Sequence, residues 1–216
     1  MIAVIGGTGA FGQGLIMRWA LAGEDVMIGS RSQKKAKGVA AEINEKIGKL
    51  VRSGTNLEAA RKGDILVLSV PFEAMKKIVK EIKPALNRNK ILVNVAVPLK
   101  FGRGTISIKQ PKAGSTAEEL KRLVPKGVKV VSAFQTVGAK ELQEVSKPVD
   151  CDIVVCGDDE RAKKAVMRLT EKIAGVRAVD GGPLRNSRYL EPIVALLIEL
   201  MRRRGVSSVG IRFKGF

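Results

Sequence analysis

Short runs of consecutive apolar residues alternate along the chain with longer stretches whose apolar positions recur every three or four residues. That alternation predicts strands buried on both faces and helices covering them, the βαβ repeat of a parallel sheet. IAVIG reads as the first strand, followed by a helix from about Phe11 to Leu21 that ends at Gly23. DVMIGS predicts a second strand, and Ser32 caps a helix carrying Ala36, Ala40, Ile43, Ile47 and Leu50 on one face. DILVLSV is a buried strand that Pro71 stops, before a helix from about Glu73 to Ile82. KILVNVAV, ended by Pro98, is the next strand. From Leu99 to Gly114 the chain is rich in Gly and Lys without periodicity, which predicts a mobile loop. Ser115 or Thr116 opens a helix that ends near Lys126 and Gly127. VKVVSAF and CDIVVCG predict two strands, and Asp158 caps a helix with Ala162, Val166, Leu169 and Ile173. VRAVDGG predicts a last parallel strand. A helix from Ser187 to Arg203, apolar at Ile193, Leu196, Leu197, Leu200 and Met201, and an edge strand SVGIRF complete the chain. The fold class is α/β, a doubly wound, mostly parallel sheet.

A length of 216 residues, 45% hydrophobic, suits one domain with at most a small appendage. Aromatic residues make up 4%, so the core must come mainly from Val, Ile, Leu and Ala. Met1 runs into an apolar stretch without a basic leader, and the run PIVALLIELM is interrupted by Glu199. A soluble cytoplasmic protein with no membrane partner is expected. Cys151 and Cys156 lie five apart, on opposite faces of a strand, so they cannot bridge and read as buried thiols. No metal site is expected. The 39 Lys and Arg against 21 Asp and Glu give a net charge of +18, a field that recruits polyanions. The cations are dispersed, the longest tract being Arg202–Arg204, and few aromatics interleave them. A solvated and heat-adapted surface comes first, anionic small molecules second, and nucleic acid a distant third.

The turn between the first strand and helix reads VIGGTGAFGQG, with Gly7, Gly9 and Gly12 in G-x-G-x-x-G spacing. Between a strand and a helix this is a dinucleotide fingerprint. Gly7 permits the tight turn, Gly9 lets the backbone approach a pyrophosphate, and Gly12 lets the helix pack closely. The helix N-terminus offers its N–H groups to the phosphates, and Thr8 adds a hydroxyl. An NAD site needs a carboxylate after the second strand. Here the chain reads Gly29-Ser30-Arg31, with Lys34 and Lys35 one turn on. A carboxylate would repel a 2′-phosphate, whereas a hydroxyl and cations bind it. The cofactor is NADP, with Ser30, Arg31 and then Lys35 on its 2′-phosphate.

The reacting partner is harder to read. The chain has no histidine, and its single tyrosine, Tyr189, has Ile193 rather than Lys four residues on. That pattern suits an acceptor that needs no strong protein acid, and a flavin-like ring qualifies because it spreads the incoming charge over its own conjugated system. No catalytic side chain is therefore expected.

The segments GGTGAFGQGL, GSRSQKKA, DILVLSVPFEA, VVSAFQT, CDIVVCGDDE and GGPLRNSRYLE occur in that order over nearly the whole chain. In these the chain resembles the NADPH-dependent reductases of coenzyme F420, an 8-hydroxy-5-deazaflavin. About 35 residues follow GGPL, too few for the long helical domain of related hydroxyacid dehydrogenases and imine reductases. The resemblance implies a Rossmann-type domain over residues 1–180. Residues 181–216 would form a small C-terminal segment, helix plus short strand, closing the cleft over the second substrate. It implies Thr8, Gly9, Ala10 and Phe11 along the NADP pyrophosphate, and Val70, Pro71, Val97 and Ala139 near the nicotinamide half. Coenzyme F420 would stack there, held by the loop Gln135, Thr136, Val137 and Gly138, with Arg188 and Val209 nearby. Catalysis would be hydride transfer by positioning alone, in a homo-oligomer such as a dimer. The chain departs from the family in Gln135, where His is common and where Gln can still donate a hydrogen bond. It departs again in Pro192 and Val194, where hydroxyl residues are common. Those departures fall on the second-substrate side. They leave open an NADP-dependent reductase of another acceptor (flavin, quinone or imine) and a non-catalytic NADP-binding sensor.

Overall fold

The computed structural model of the chain describes residues 1–102 and 105–215. The apolar runs become strands because every side chain along them finds a covered face. Six lie parallel: β1 (Ile2–Ile5), β2 (Val26–Ser30), β3 (Arg52–Thr55), β4 (Ile65–Leu68), β5 (Ile91–Asn94) and, after the hairpin described below, β8 (Lys129–Ser132). With β9 (Cys151–Gly157) and β10 (Val176–Asp180), the sheet order is β10-β9-β8-β5-β4-β1-β2-β3. β1 pairs with both β2 and β4, so the winding reverses there. The C-terminal ends of β1 and β4 therefore flank a topological switch point, where open α/β sheets bind ligands.

Alternation divides the core into two layers. Val4, Val67, Val93 and Val131 face α1 (Ala10–Leu21), α2 (Gln33–Ile47) and α7 (Glu160–Glu171). Ile5, Leu66, Leu68, Leu92 and Val130 face α3 (Asn56–Lys62), α4 (Phe72–Ile82) and α5 (Thr116–Leu123). The layers matter more than propensity: α1 carries Gly12 and Gly14 yet buries Leu15, Ile16 and Trp19 completely. Each such side chain contributes about 1.5–3 kcal/mol on burial, more than a glycine costs. The short α6 (Ala139–Gln143) packs against α1, and α8 (Ser187–Arg204) ends the regular structure. Among the described residues no helix is long and apolar enough to cross a membrane.

Several expectations are corrected. Leu99–Gly114 is not a featureless loop: β6 (Leu99–Phe101) and β7 (Ile106–Ile108) pair antiparallel, Phe101 opposite Ile106. Arg103 and Gly104 of that stretch lie outside the described residues. Three-residue strands are too short to show a period, which hid the hairpin. β3 and α3 also went unread, because β3 is the polar edge RSGT. α2 stops at Ile47, where Gly48 turns left-handed, and Leu50 is exposed. The cap of α7 is Asp159, which accepts from the Ala162 N–H at 2.8 Å. Asp158 instead accepts from the Leu184 N–H and pairs with Lys121. β10 is parallel to β9, but β9 runs antiparallel to β8, so this pair opposes the rest of the sheet. The tail SVGIRF forms no regular strand. It lies beside β9, with the Asp152 N–H on the Ile211 carbonyl at 2.7 Å. Buried Asp152 also accepts from Arg177, from the Phe213 N–H and from Arg212. Arg177 first, then the other two, hold its carboxyl well below the usual range. Cys151 and Cys156 are buried thiols, pushed up to about 12 and about 11 by desolvation.

Candidate functional site

The turn after β1 is made at Gly6, not Gly7. Gly6 is left-handed (φ +73°), and a Cβ there would collide with Val70 Cγ1. Its N–H donates to Oδ1 of fully buried Asn56 at 3.1 Å. The Gly7 N–H reaches the Val4 and Gly29 carbonyls at 3.2 and 3.0 Å, tying the turn to β1 and β2. Gly9 differs in kind. A Cβ on Gly9 would meet nothing nearer than the Gly6 carbonyl at 4.0 Å, so its space opens to solvent. Gly9 also caps α1 without a side-chain hydrogen bond. The positive end of α1 thus faces an open space that a polyanion could fill.

That space is a cleft of about 450 Å³ lined by Thr8, Gly9, Ser30, Arg31, Ser32, Lys35, Asn56, Ser69, Val70 and Pro71, among others. Among the described residues no carboxylate lines it. Ser30 is buried at the end of β2 and accepts from the Ser32 N–H at 3.3 Å. Ser32 in turn caps α2 by accepting from the Lys35 N–H at 3.2 Å. Arg31 and Lys35 are exposed at the rim. Hydroxyls, cations and two helix N-termini with no acid fit a molecule bearing several phosphates, one of them a 2′-phosphate.

A second cleft of about 350 Å³ continues from the first, sharing Gly9, Ser69, Val70 and Pro71. Ala10, Phe11, Val95, Ala96, Val97, Leu99, Phe134, Gln135 and Val137 complete its mostly apolar lining. Again no carboxylate is present among the described residues. The far wall is strained. Phe134 has φ +70°, a conformation costing a bulky residue roughly 1–2 kcal/mol. Edge-on packing against Trp19, ring centroids 5.7 Å apart, holds it. Gln135 follows, its Nε2 donating to the Asn94 carbonyl at 3.0 Å and to Ser132 Oγ at 2.7 Å. Both amide hydrogens are therefore spent inside the protein. Gln135 can offer the cleft an acceptor, Oε1, and not the donor expected from sequence.

The loop 135–138 is fixed from its other end by Arg18 of α1. Buried Arg18 donates to the carbonyls of Glu141, Leu142, Glu144 and Lys147 at 2.7–3.0 Å, capping α6. Gln143 adds a hydrogen bond to the Ala10 carbonyl at 3.1 Å. One helix thus carries the glycine turn at its start and anchors the opposite wall at its middle.

Not every residue named from sequence converges here. Gly7, Gly12 and Ala139 act through backbone packing, Ala139 as the first residue of α6. Thr136 is buried and Gly138 abuts Ser208, and neither lines a cleft. Val209 lies in the tail, outside both clefts. Arg188 is occupied elsewhere, in a two-point pair with Glu118 at 2.6 and 2.7 Å and a bond to the Ala113 carbonyl. Pro192 is exposed on α8, whereas Val194 is buried. Sequence reasoning missed Gly6, Asn56, Ser69, Ala96 and Phe134. Only Gly6 and Ser69 carried a signal, as neighbours of Gly7 and Pro71 at strand ends.

The family model described as NADP oxidoreductase, coenzyme F420-dependent, matches residues 1–98, which include the floor shared by the two clefts. The chain is 41% identical to the F420-dependent NADP reductase of Methanothermobacter thermautotrophicus, over 98% of this chain and 93% of that protein. The chain belongs to the F420-dependent NADP reductase family. Its likeness to the family member from Methanocaldococcus jannaschii is similar, 40% identity over 98% of this chain and 96% of that one. A solved structure from Arthrobacter sp. FB24 shares the fold of this family member, with a TM-score of 0.82. It is 24% identical over 98% of this chain and 99% of its own.

Proposed function

We propose that the protein transfers a hydride between NADP(H) and the deazaflavin coenzyme F420. The observation that carries this reading is the meeting of two clefts, one cationic and hydroxyl-lined, one apolar, over Ser69, Val70 and Pro71. Ser30, Arg31 and Lys35 hold the 2′-phosphate, and the N–H groups following Gly9, at Ala10 and Phe11, meet the pyrophosphate with Thr8. Val70, Pro71 and Val97 flank the nicotinamide. Gln135 and Val137 border the second ring, Gln135 accepting one of its N–H groups. When both are bound, the nicotinamide and the deazaflavin exchange the hydride directly, and the ring system spreads the charge.

The chain itself supplies position and dryness. Near-attack geometry between two bound rings is worth about 7–11 kcal/mol, enough to proceed without a protein acid. The lining agrees, since among the described residues neither cleft presents a carboxylate and Tyr189 is 73% exposed on α8. A cytoplasmic location and residues 181–216 as a separate closing segment belong to the same reading. Mixing the protein with NADPH and oxidised coenzyme F420 tests it. Loss of deazaflavin absorbance at the rate of NADPH oxidation is expected. NADPH bound with F420 unchanged would turn the reading to another acceptor or to a sensor.

A further inference from the structure

The C-terminal helix reaches the wall of the second cleft through one buried chain of hydrogen bonds. Glu191 of α8 is 2% exposed and sits at the N-terminus of α5. Its Oε1 accepts from the Thr116 N–H at 2.8 Å and from Thr116 Oγ1 at 2.7 Å. One turn earlier, Ser187 donates to Ser115, the α5 cap, at 2.7 Å. Beyond Glu191 the chain continues. Thr116 Oγ1 lies 2.8 Å from the Ala96 carbonyl and accepts from Asn94 Nδ2 at 2.7 Å. The Asn94 carbonyl receives the Gln135 amide, and Ala96 and Gln135 line the cleft.

We propose that Glu191 is a positioning residue for the ring-binding cleft, acting through the Thr116 hydroxyl on Ala96 and Asn94. The proposal rests on that cleft being the ring site. Its logic is a count of protons. The Thr116 hydroxyl carries one hydrogen and has two acceptors, Glu191 Oε1 and the Ala96 carbonyl. A charged Glu191 draws that hydrogen, because charge-assisted bonds are the stronger kind. The Ala96 carbonyl then keeps only the long bond from Asn94 Nδ2, at 3.3 Å. A neutral Glu191 instead donates its own O–H to the free lone pair of Thr116 Oγ1. The Thr116 hydrogen then turns to Ala96, and the wall is tied down. Asn94 Oδ1 is buried without a partner, so the Asn94 side chain is held only through its amide hydrogens, on Thr116 and Ala96. Thr116 Oγ1 accepts from Asn94 in either state of Glu191, so Asn94 stays held while the Ala96 carbonyl gains or loses the Thr116 hydrogen.

Glu191 can make this change near neutrality. Desolvation, opposed by the hydrogen bonds of Thr116 and Ala117 and aided by the charge of Glu118, pushes it up to about 7. The charge that acts on it is that of Glu118 on α5, which is itself paired with Arg188 of α8.

Three variants test the relay at saturating NADPH and F420, by single-turnover hydride transfer and by the fluorescence of bound NADPH. Thr116→Val removes only the hydroxyl and should slow transfer roughly 10–100-fold, the cost of a small misplacement, with NADPH Kd within about threefold. Thr116→Ser restores the hydroxyl and should recover the wild-type rate to within about threefold. From about pH 6 to pH 8 the wild-type rate and bound-NADPH fluorescence should both change with one inflection, which Glu191→Gln abolishes. A wild-type rate in Thr116→Val, equal loss in Thr116→Ser, or an inflection surviving in Glu191→Gln would each overturn the relay. Should the wild type pass no hydride to F420, the functional reading fails by itself. The fluorescence inflection, and its loss in Glu191→Gln and Thr116→Val, then still decides the relay.

Discussion

At the scale of single residues, the proposed choice of cofactor turns on Arg31 and Lys35 at the rim of the first cleft and Ser30 beneath them. Arg31 is exposed, so its contact with a phosphate is partly screened and worth less than a buried pair. Arg31→Glu should still cost about 2 kcal/mol, roughly 30-fold in NADPH Kd, because attraction becomes repulsion. NADH binding should change little. Equal losses for the two cofactors, measured by fluorescence titration, would remove Arg31 from the 2′-phosphate. Gly9→Val makes a different demand: the side chain enters open space, so folding should be intact while either dinucleotide is excluded. Normal NADPH binding by that variant would contradict the pyrophosphate assignment. That Gly9, Ser30, Arg31 and Lys35 line one cleft was legible in the sequence, because a strand, a turn and a helix fix their geometry locally. That Arg188 and Val209 lie outside both clefts was not, since their neighbours lie far away in sequence. What decides Arg188 is Glu118, seventy residues distant, and nothing in GGPLRNSR announces it.

At the scale of elements, the central strands and their helices were readable because each is a continuous apolar run or a clear helical period. The unread ones lacked that signal: polar β3 and the three-residue strands of the hairpin, while the tail expected as an edge strand is held by Asp152 rather than by a ladder. The reversal of β9 was invisible too, since CDIVVCG is equally apolar in either direction. α6 shows how much one side chain can organise. Its five residues bury only Leu142, so it depends on Arg18 for satisfied carbonyls and for its place beside α1. Arg18→Met keeps most of the stem but strands those four carbonyls, and should lower stability by about 3 kcal/mol. A shift of the urea midpoint worth less than about 1 kcal/mol would mean that water replaces the guanidinium without cost. Because α6 follows the loop 135–138, the variant should also weaken the second cleft more than the first.

At the scale of the whole molecule, one face of α8 stands exposed among the described residues. α8 exposes Tyr189, Leu196 and Leu200 at 73%, 58% and 38%, with Pro192 between them on the same seam. Exposed apolar residues gathered on one seam suit association better than scattered ones. We propose a dimer formed by a second copy across this seam, an arrangement that two-fold symmetry permits with one patch. Leu196→Glu should convert the dimer to a monomer by light scattering, and a wild-type monomer at micromolar concentration would refute the pairing. The +18 charge has a plainer role, since both proposed ligands are polyanions and the cleft is lined by cations without acids.

The central claim is that the two clefts bring two rings together so that hydrogen passes directly between them. NADPH carrying deuterium at the transferred position of its nicotinamide C4 tests that most directly, with the reduced deazaflavin analysed by mass spectrometry after a single turnover in ordinary water. Direct transfer by positioning predicts one deuterium retained on the central carbon of the deazaflavin. A reduced deazaflavin without the label would show that the hydrogen came from solvent, through a protein acid that neither cleft contains, and would contradict the account.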